Sequence, residues 1–380
     1  MSQEILISNT AGTTQIAVIK NNQLAEIIVE RNDSLLGNIY KGQITRVLPG
    51  MKAAFVDIGL KQPAFLQSDC SIYQGQILLT QVIKEPIKNK QARLTTKISI
   101  PSRYIVLLPY SPDLFKISNC IKSVTERQRL KNIILSKSSE HGIIIRTAAE
   151  GVTDKLLLND LDFVHNLWQD IKYTRTNSLI YKELPMYLQI IRDLVEPFKI
   201  KVDSPEIFKK ITKFDKQFES DIDYYSEERP LFDLYSININ RLLEPKVKLD
   251  SGGYLIIEST EAMTVIDVNT GSYIGKNNLA ETILTTNLEA AITIANQLKL
   301  RSISGIIIID FIDMRDEKHK QQVLDTLKQG FINEHVKISK ISKLGLVEMS
   351  RKYTRDSLEQ VLCESCSTCE GRGILPLNVN

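Results

Sequence analysis

Apolar and polar positions alternate through residues 4–8 and 14–19, and Asn9-Thr10-Ala11-Gly12 supplies a turn between them. A period of two marks a half-buried strand, so this segment predicts a β-hairpin, with a third strand near residues 24–29. Short strands then recur at 39–47, 53–59, 64–66, 77–82 and 92–97, and Pro49-Gly50 marks the first turn among them. Five strands in so short a stretch predict a small barrel of the oligonucleotide-binding kind.

Beyond residue 100 the pattern is mixed. Apolar runs at 104–108 and 143–145 predict buried strands, and the spacing over 125–135 and 157–172 predicts helices, the second carrying the single tryptophan, Trp168. Asp203-Ser204-Pro205-Glu206 predicts a helix start, with proline near the first helical position. From about residue 241 the pattern predicts an α/β layer. Strands at 254–258 and 263–269 lead to a helix from about 278, in which Leu279, Ile283, Leu288, Ala291, Ile294 and Leu298 recur near 3.6 residues. A buried strand at 305–311 and a helix at 318–333 follow.

Composition changes this picture only modestly. A chain of 380 residues predicts about two to four domains, and 48 basic against 45 acidic residues leave a net charge of +3. That balance excludes a basic tail protein and a disordered acidic chain, but a local basic face can hide within it. No basic run followed by an apolar core opens the chain, and no apolar stretch reaches the roughly 20 residues of a membrane-spanning helix. Cys70, Cys120, Cys363, Cys366 and Cys369 are odd in number and clustered at one end, which argues against a secreted disulfide framework. The expected location is the cytoplasm.

Four constellations carry candidate chemistry. Val265-Ile266-Asp267-Val268-Asn269 and Ile308-Ile309-Asp310-Phe311-Ile312-Asp313 each run an apolar strand into a carboxylate. If the two strands are neighbours, Asp267 and Asp310 can face one Mg²⁺ or Mn²⁺, with Asn269 on the same face; the plainer reading is that acidic residues simply end strands. In the barrel, Tyr40, Phe55 and Phe65 are interleaved with Lys41, Arg46, Lys52 and Lys61, which suits stacking on unpaired bases unless the aromatics are core. The strand ending in Arg146-Thr147 offers a guanidinium fork and a hydroxyl suited to a phosphate monoester, or an ordinary solvated pair. Cys366 and Cys369, two residues between them and Gly371 after, resemble a zinc knuckle. Four ligands are wanted, so either Cys363 contributes a third or two chains each supply two thiolates; a free-thiol or redox role is the alternative.

The stretch from Ser251-Gly252-Gly253-Tyr254 to Asp267-Val268-Asn269 resembles the ribonuclease E/G family, its ribonuclease G-like branch in particular. So do Thr286-Asn287-Leu288-Glu289-Ala290-Ala291, Ile309-Asp310-Phe311-Ile312-Asp313-Met314, Ile39-Tyr40-Lys41-Gly42 and Ala54-Phe55-Val56-Asp57-Ile58-Gly59. The resemblance covers nearly the whole chain. It implies an α+β multi-subdomain fold: an RNase H-like subdomain from 1–37 and 188–242, an S1 (OB) barrel at 38–98, a 5′-sensor region at 99–187, a DNase I-like α/β catalytic subdomain at 243–360 and a zinc link at 361–380. The implied activity is Mg²⁺-dependent endoribonuclease cleavage of single-stranded, A/U-rich RNA to leave 5′-monophosphate ends, in rRNA and tRNA processing and mRNA decay. A catalytically impaired RNA-binding protein of the same fold and a DNA endonuclease are the alternatives.

By the same resemblance, Asp267 and Asp310 match the metal-binding aspartates at the family's spacing, and Asn269 matches the asparagine that orients water or phosphate. Phe55, Phe65 and Lys90 match RNA-gripping positions of the S1 barrel. Arg146 and Thr147 match the pocket that senses a 5′-monophosphate, and Cys366 and Cys369 match the zinc-link pair that joins a homodimer. Three departures stand out. The barrel is short between Phe65 and Gly75. Asn119 and Cys120 stand where the family usually has two arginines, which weakens the sensor's electrostatics. The chain stops at Asn380, so a form without the small C-terminal domain or a degradosome scaffold is expected.

Overall fold

The alternating N-terminal segment pairs as its period predicts. Strands β1 (Gln3–Thr10), β2 (Thr13–Lys20) and β3 (Gln23–Arg31) form an antiparallel meander. Asn21 and Asn22, both at positive φ, make the two-residue turn between β2 and β3, a conformation asparagine tolerates better than most residues. The structure, a computed structural model, describes residues 3–10, 12–68, 71–86, 91–137, 140–174, 178–194, 198–214, 221–271, 279–332, 334, 336–342, 344–369, 371 and 373–374. It divides into two compact units, one made of Met1–Arg31 with Phe198–Asn380 and the other of Asn32–Pro197.

The second unit holds the predicted barrel. Strands β4 (Ile39–Leu48), β5 (Ala53–Asp57), β6 (Ala64–Gln67), β7 (Ile77–Lys84) and β8 (Arg93–Thr95) run in the order β4-β5-β6-β8-β7, and β7 returns to pair with β4. Closure removes the free sheet edges that would otherwise recruit other strands. Ile44, Val56, Leu66, Val82 and Leu94 fill the interior. A four-stranded sheet follows, built from β9 (Ile100–Pro101), β10 (Ile105–Leu108), β11 (Phe115–Ile117) and β12 (Gly142–Ile145) in the order β11-β12-β10-β9. Helices α1 (Val124–Leu135) and α2 (Asp154–Tyr173) share its core through Leu130, Ile134, Leu157, Leu161, Val164 and Trp168. β13 (Leu179–Tyr181) pairs with β4, and α3 (Met186–Asp193) completes the unit.

The first unit resumes with β14 (Phe198–Val202), which lies parallel to β1, and β15 (Ile222–Tyr224), parallel to β14. Asp203 ties this junction by accepting from Ser8 Oγ at 2.5 Å and from the Asn9 amide at 3.0 Å. Helices α4 (Pro205–Phe214) and α5 (Leu231–Leu234) precede a six-stranded sheet. Its strands are β16 (Lys246–Lys248), β17 (Tyr254–Ser259), β18 (Thr264–Asn269), β19 (Gly305–Asp310), β20 (Val336–Ile338) and β21 (Leu346–Arg351), ordered β16-β17-β18-β19-β21-β20. Helix α6 (Leu279–Leu300) links β18 to β19 and α7 (Glu317–Gln329) follows, with α8 (Leu358–Leu362) near the end. Ile294, Leu298, Val323 and Leu327 of the helices share one core with Ile266, Val268, Ile307 and Ile309 of the strands.

The apolar run at 305–311 is not buried on both faces as its composition predicts. Ile307 and Ile309 are sealed, but Ile306 is 52% exposed and Asp310 is exposed. One side of the sheet carries the helices and the other is open, so the pleat puts alternate residues in different solvents. The helix predicted to reach residue 333 ends at Gln329, with Gly330 as its cap. Only glycine fits there without a shift, because a Cβ would meet the Ala295 Cβ at 2.4 Å.

Gly142 is held by a closer approach still, since a Cβ there would lie 2.1 Å from the Ser111 carbonyl oxygen. Backbone cannot yield as a flexible side chain can. Gly142→Ala is expected to cost about 1–3 kcal/mol of stability, as overpacking does. A urea midpoint no lower than wild type would show that this contact is not maintained.

Candidate functional site

β18 and β19 are parallel neighbours, and Asp267 is the register partner of Asp310. Neighbouring strands lie about 4.8 Å apart and cross-strand partners share a face, so the two carboxylates stand side by side. Alternation decides which face. Ile266, Val268, Ile307 and Ile309 are buried against the helices, which leaves Asp267 and Asp310 exposed on the open side. Asn269, two residues after Asp267, shares that face and donates from Nδ2 to Asp267 Oδ2 at 2.8 Å. Burial and then the charges of Asp267 and Asp313 raise the Asp310 carboxyl above its ordinary pKa. The pair is therefore a place where negative charge is concentrated without an ion-pair partner among the described residues.

Hard carboxylate oxygens beside one another suit a divalent cation such as Mg²⁺, which commonly takes one or two protein carboxylates and keeps water or substrate oxygens as its other ligands. Among the described residues no group of three or more His, Cys, Asp or Glu is gathered as a fuller metal cage. The donors present fit Mg²⁺ in that two-carboxylate manner. A cation is also at hand for substrate: Lys246 Nζ lies 3.8 Å from the ring centroid of Tyr254, whose register partner is Asn269.

Two residues that sequence reasoning quoted without a role hold this site in place. Asn287 on α6 is fully buried. Its side chain donates to the Ile312 carbonyl at 2.8 Å and accepts from the Ile312 amide at 3.1 Å, pinning the chain just past Asp310. Glu289 accepts from the Ser251 amide at 3.1 Å and so fixes the turn leading to β17. The readable signal was a polar side chain on the apolar stripe of a helix, which must be paired to be tolerated.

In the barrel, Phe55 and Phe65 are register partners on β5 and β6, with ring centroids 6.1 Å apart at 72°. Both are half-buried. Arg93, absent from the sequence reading, places its guanidinium carbon 5.8 Å from the Phe65 centroid. Tyr40 is corrected: it is only 6% exposed and belongs to the barrel interior. Lys41 donates to the Thr174 carbonyl at 3.2 Å. Lys90 lies outside the described residues.

Arg146 and Thr147 follow the end of β12. Arg146 Nη1 donates to the Ser102 carbonyl at 2.8 Å and to Asp193 Oδ1 at 2.6 Å. The hydroxyls of Thr147 and Ser118 share a hydrogen bond of 2.7 Å. Asn119 and Cys120 are exposed in the adjoining turn. Arg127 braces that turn from behind, donating to the carbonyls of Ser118 at 2.7 Å and Ile121 at 3.1 Å.

Cys366 is exposed, and amide and side-chain donors from Cys369 and Thr368 lower its thiol to about 7. Gly373 donates its amide to Cys369 Sγ at 3.3 Å. Backbone amides directed at sulfur are the dress of a thiolate ligand, and this donor chemistry fits Zn²⁺. Cys363 joins no three-residue cluster with them among the described residues.

The Ribonuclease E/G family profile matches residues 99–354. Ribonuclease G of Salmonella typhimurium (strain SL1344) is 43% identical over 413 residues, covering 98% of this chain and 84% of that protein. Ribonuclease G of Haemophilus influenzae is 42% identical over 411 residues, covering 97% and 83%. Ribonuclease E of Nostoc sp. (strain PCC 7120) is 35% identical over 392 residues, covering 94% and 57%.

The crowded carboxylates carry a stability consequence. A carboxyl whose folded pKa is raised costs stability wherever it is ionised, and the cost disappears once pH falls below its unfolded value of about 3.9. Asp310→Asn is therefore expected to melt slightly higher than wild type at pH 7 in EDTA, by about a degree or two given its solvent exposure. The advantage should shrink as pH drops through the carboxylate range. A lower melting temperature at pH 7 would contradict the repulsion.

Proposed function

Because the chain belongs to the ribonuclease E/G family and is an endoribonuclease, we propose that it cuts single-stranded RNA at the Asp267–Asp310 pair with Mg²⁺ as cofactor. The observation that carries this reading is the register pairing of two carboxylates on the open face of a sheet. A divalent cation bound there would neutralise phosphate charge and lower the pKa of a coordinated water. Asp267 and Asp310 would hold that cation. Asn269, tied to Asp267, keeps that carboxylate oriented and leaves its own amide oxygen for water or substrate. In-line attack by water on phosphorus breaks the P–O3′ bond, so the downstream product carries a 5′-monophosphate.

The barrel supplies the grip. Phe55 and Phe65 stack on unpaired bases, and Arg93 and Lys90 meet the phosphates, an arrangement tolerant of sequence. A preference for A/U-rich RNA follows from the weak self-pairing of such segments, which leaves their bases free to stack. Arg146 and Thr147 receive a 5′-monophosphate. Cleavage of this kind suits rRNA and tRNA processing and mRNA decay.

Asp267→Asn is expected to reduce cleavage of a labelled single-stranded oligoribonucleotide in Mg²⁺ at least about a thousandfold while RNA binding persists. EDTA should abolish wild-type cleavage in the same assay. Cleavage that survives either change would remove the two-carboxylate mechanism.

Cys366 and Cys369 from each of two chains would hold one Zn²⁺ and so join a homodimer. Replacing both cysteines by serine is expected to convert dimer to monomer by light scattering and to eliminate bound zinc. A zinc-loaded wild-type monomer would refute the shared site.

A further inference from the structure

Arg146 is gripped at one end only. Nη1 bears two hydrogens, and they go to the Ser102 carbonyl at 2.8 Å and Asp193 Oδ1 at 2.6 Å. Nε and Nη2 have no hydrogen-bond partner among the described residues. Of their three N–H groups, Nε–H and the Nη2–H beside it form the side-on fork of the guanidinium, whose spacing matches two oxygens of a phosphate. The protein thus spends the end of the guanidinium that bidentate recognition does not need.

Asp193 is itself held. Its Oδ1 also accepts from Arg192 Nε at 2.8 Å. Arg192 is buried, and its Nη1 donates to the Pro101 carbonyl at 3.3 Å and to Glu183 Oε1 at 3.4 Å. Glu183 is equally buried, its side chain only 7% exposed. Its amide donates to Asn38 Oδ1 at 2.9 Å, and its Oε1 accepts from the Leu184 amide at 3.1 Å. A buried, hydrogen-bonded ion pair has few alternative geometries, because breaking it strands a charge away from water. Two carboxylates and two guanidinium groups therefore run in line from the interior at Glu183 to the half-exposed Arg146.

The geometry points to Asp193 as a positioning residue for 5′-end recognition: backed by Arg192 and Glu183, it fixes Arg146 with the Nε–Nη2 edge presented to a 5′-monophosphate. This rests on the reading that Arg146 receives that phosphate. Pre-orientation matters because a free arginine loses rotamer entropy when it binds, and a guanidinium already locked loses less. A carboxylate that merely competed with the phosphate for Arg146 would act in the opposite direction, so the sign of the effect separates the two roles.

The test uses the full chain with Mg²⁺ and one oligoribonucleotide bearing either a 5′-monophosphate or a 5′-hydroxyl. The readout is the ratio of kcat/KM for the two, with KM and kcat resolved separately. Arg146→Ala is expected to bring the ratio close to unity. Asp193→Ala is expected to lower it about tenfold, mainly through a higher KM for the monophosphorylated substrate, because an unheld fork binds phosphate less well. Asp193→Asn, which keeps an oxygen acceptor for both arginines, is expected to retain most of the preference, a rescue that a general packing defect would not show. Asp193→Ser, too short to span the gap, serves as a second loss variant should the alanine form fail to fold. A ratio that stays level or rises in the alanine or serine variant, while Arg146→Ala abolishes it, overturns the role of Asp193 alone. A wild-type chain without preference, or an Arg146→Ala variant that keeps it, overturns the sensing reading and this one together.

Discussion

Everything proposed for catalysis depends on the parallel pairing of β18 with β19 in a register that sets Asp267 opposite Asp310. Two like charges side by side resist that arrangement. At about 5 Å in water their repulsion is on the order of 1 kcal/mol, and more where burial lowers the local dielectric. The same register buries Ile266, Val268, Ile307 and Ile309 beneath α6 and α7. Each such side chain contributes about 1.5–3 kcal/mol. Hydrophobic burial on one face thus outweighs electrostatic repulsion on the other, and the sheet holds the carboxylates together in advance of any cation.

A second theme is the use of buried polar groups to fix the backbone or side chain that does the work. Asn287 has no access to solvent, yet both ends of its amide are satisfied by Ile312, so the segment past Asp310 cannot drift without stranding donors and acceptors. Glu289, only half-buried, ties the turn at Ser251 by accepting from its amide. In the other unit, Glu183 and Arg192 are buried as a pair and pass their order outward to Asp193 and Arg146. For Asn287 and for the Glu183–Arg192 pair, the penalty for an unpaired buried group supplies the positional precision.

The aromatic pair of the barrel follows a different rule. Phe55 and Phe65 are half-buried, packed edge to face, with a guanidinium beside Phe65. Partial burial stiffens the rings without covering them, which suits stacking on flexible single strands. Tyr40 shares their composition and strand context, but its pleat points inward. The net charge of +3 carried no sign of this aromatic and basic cluster, because a total over the whole chain hides local groupings of charge.

Much was legible from the linear chain. Periods of two and 3.6 located most strands and the long helices, since local side-chain alternation is written directly into a strand or helix face. The acidic strand ends, the aromatic pair, Arg146-Thr147 and the cysteine knuckle were all visible as residue types at meaningful spacing. What the chain could not disclose was pairing. β15, β16 and β20 span only three residues each, and β14 and β21 pair with β1 and β19, which are distant in sequence, so little that is local marks them. The run at 305–311 looked buried on both sides because composition does not reveal that a sheet has one uncovered face. The adjacency of Asp267 and Asp310, the clamp by Asn287 and the line from Glu183 to Arg146 were decided only by tertiary structure. Each depends on which strands become neighbours and in what register, and that is set by the burial of many side chains together rather than by any short stretch of sequence.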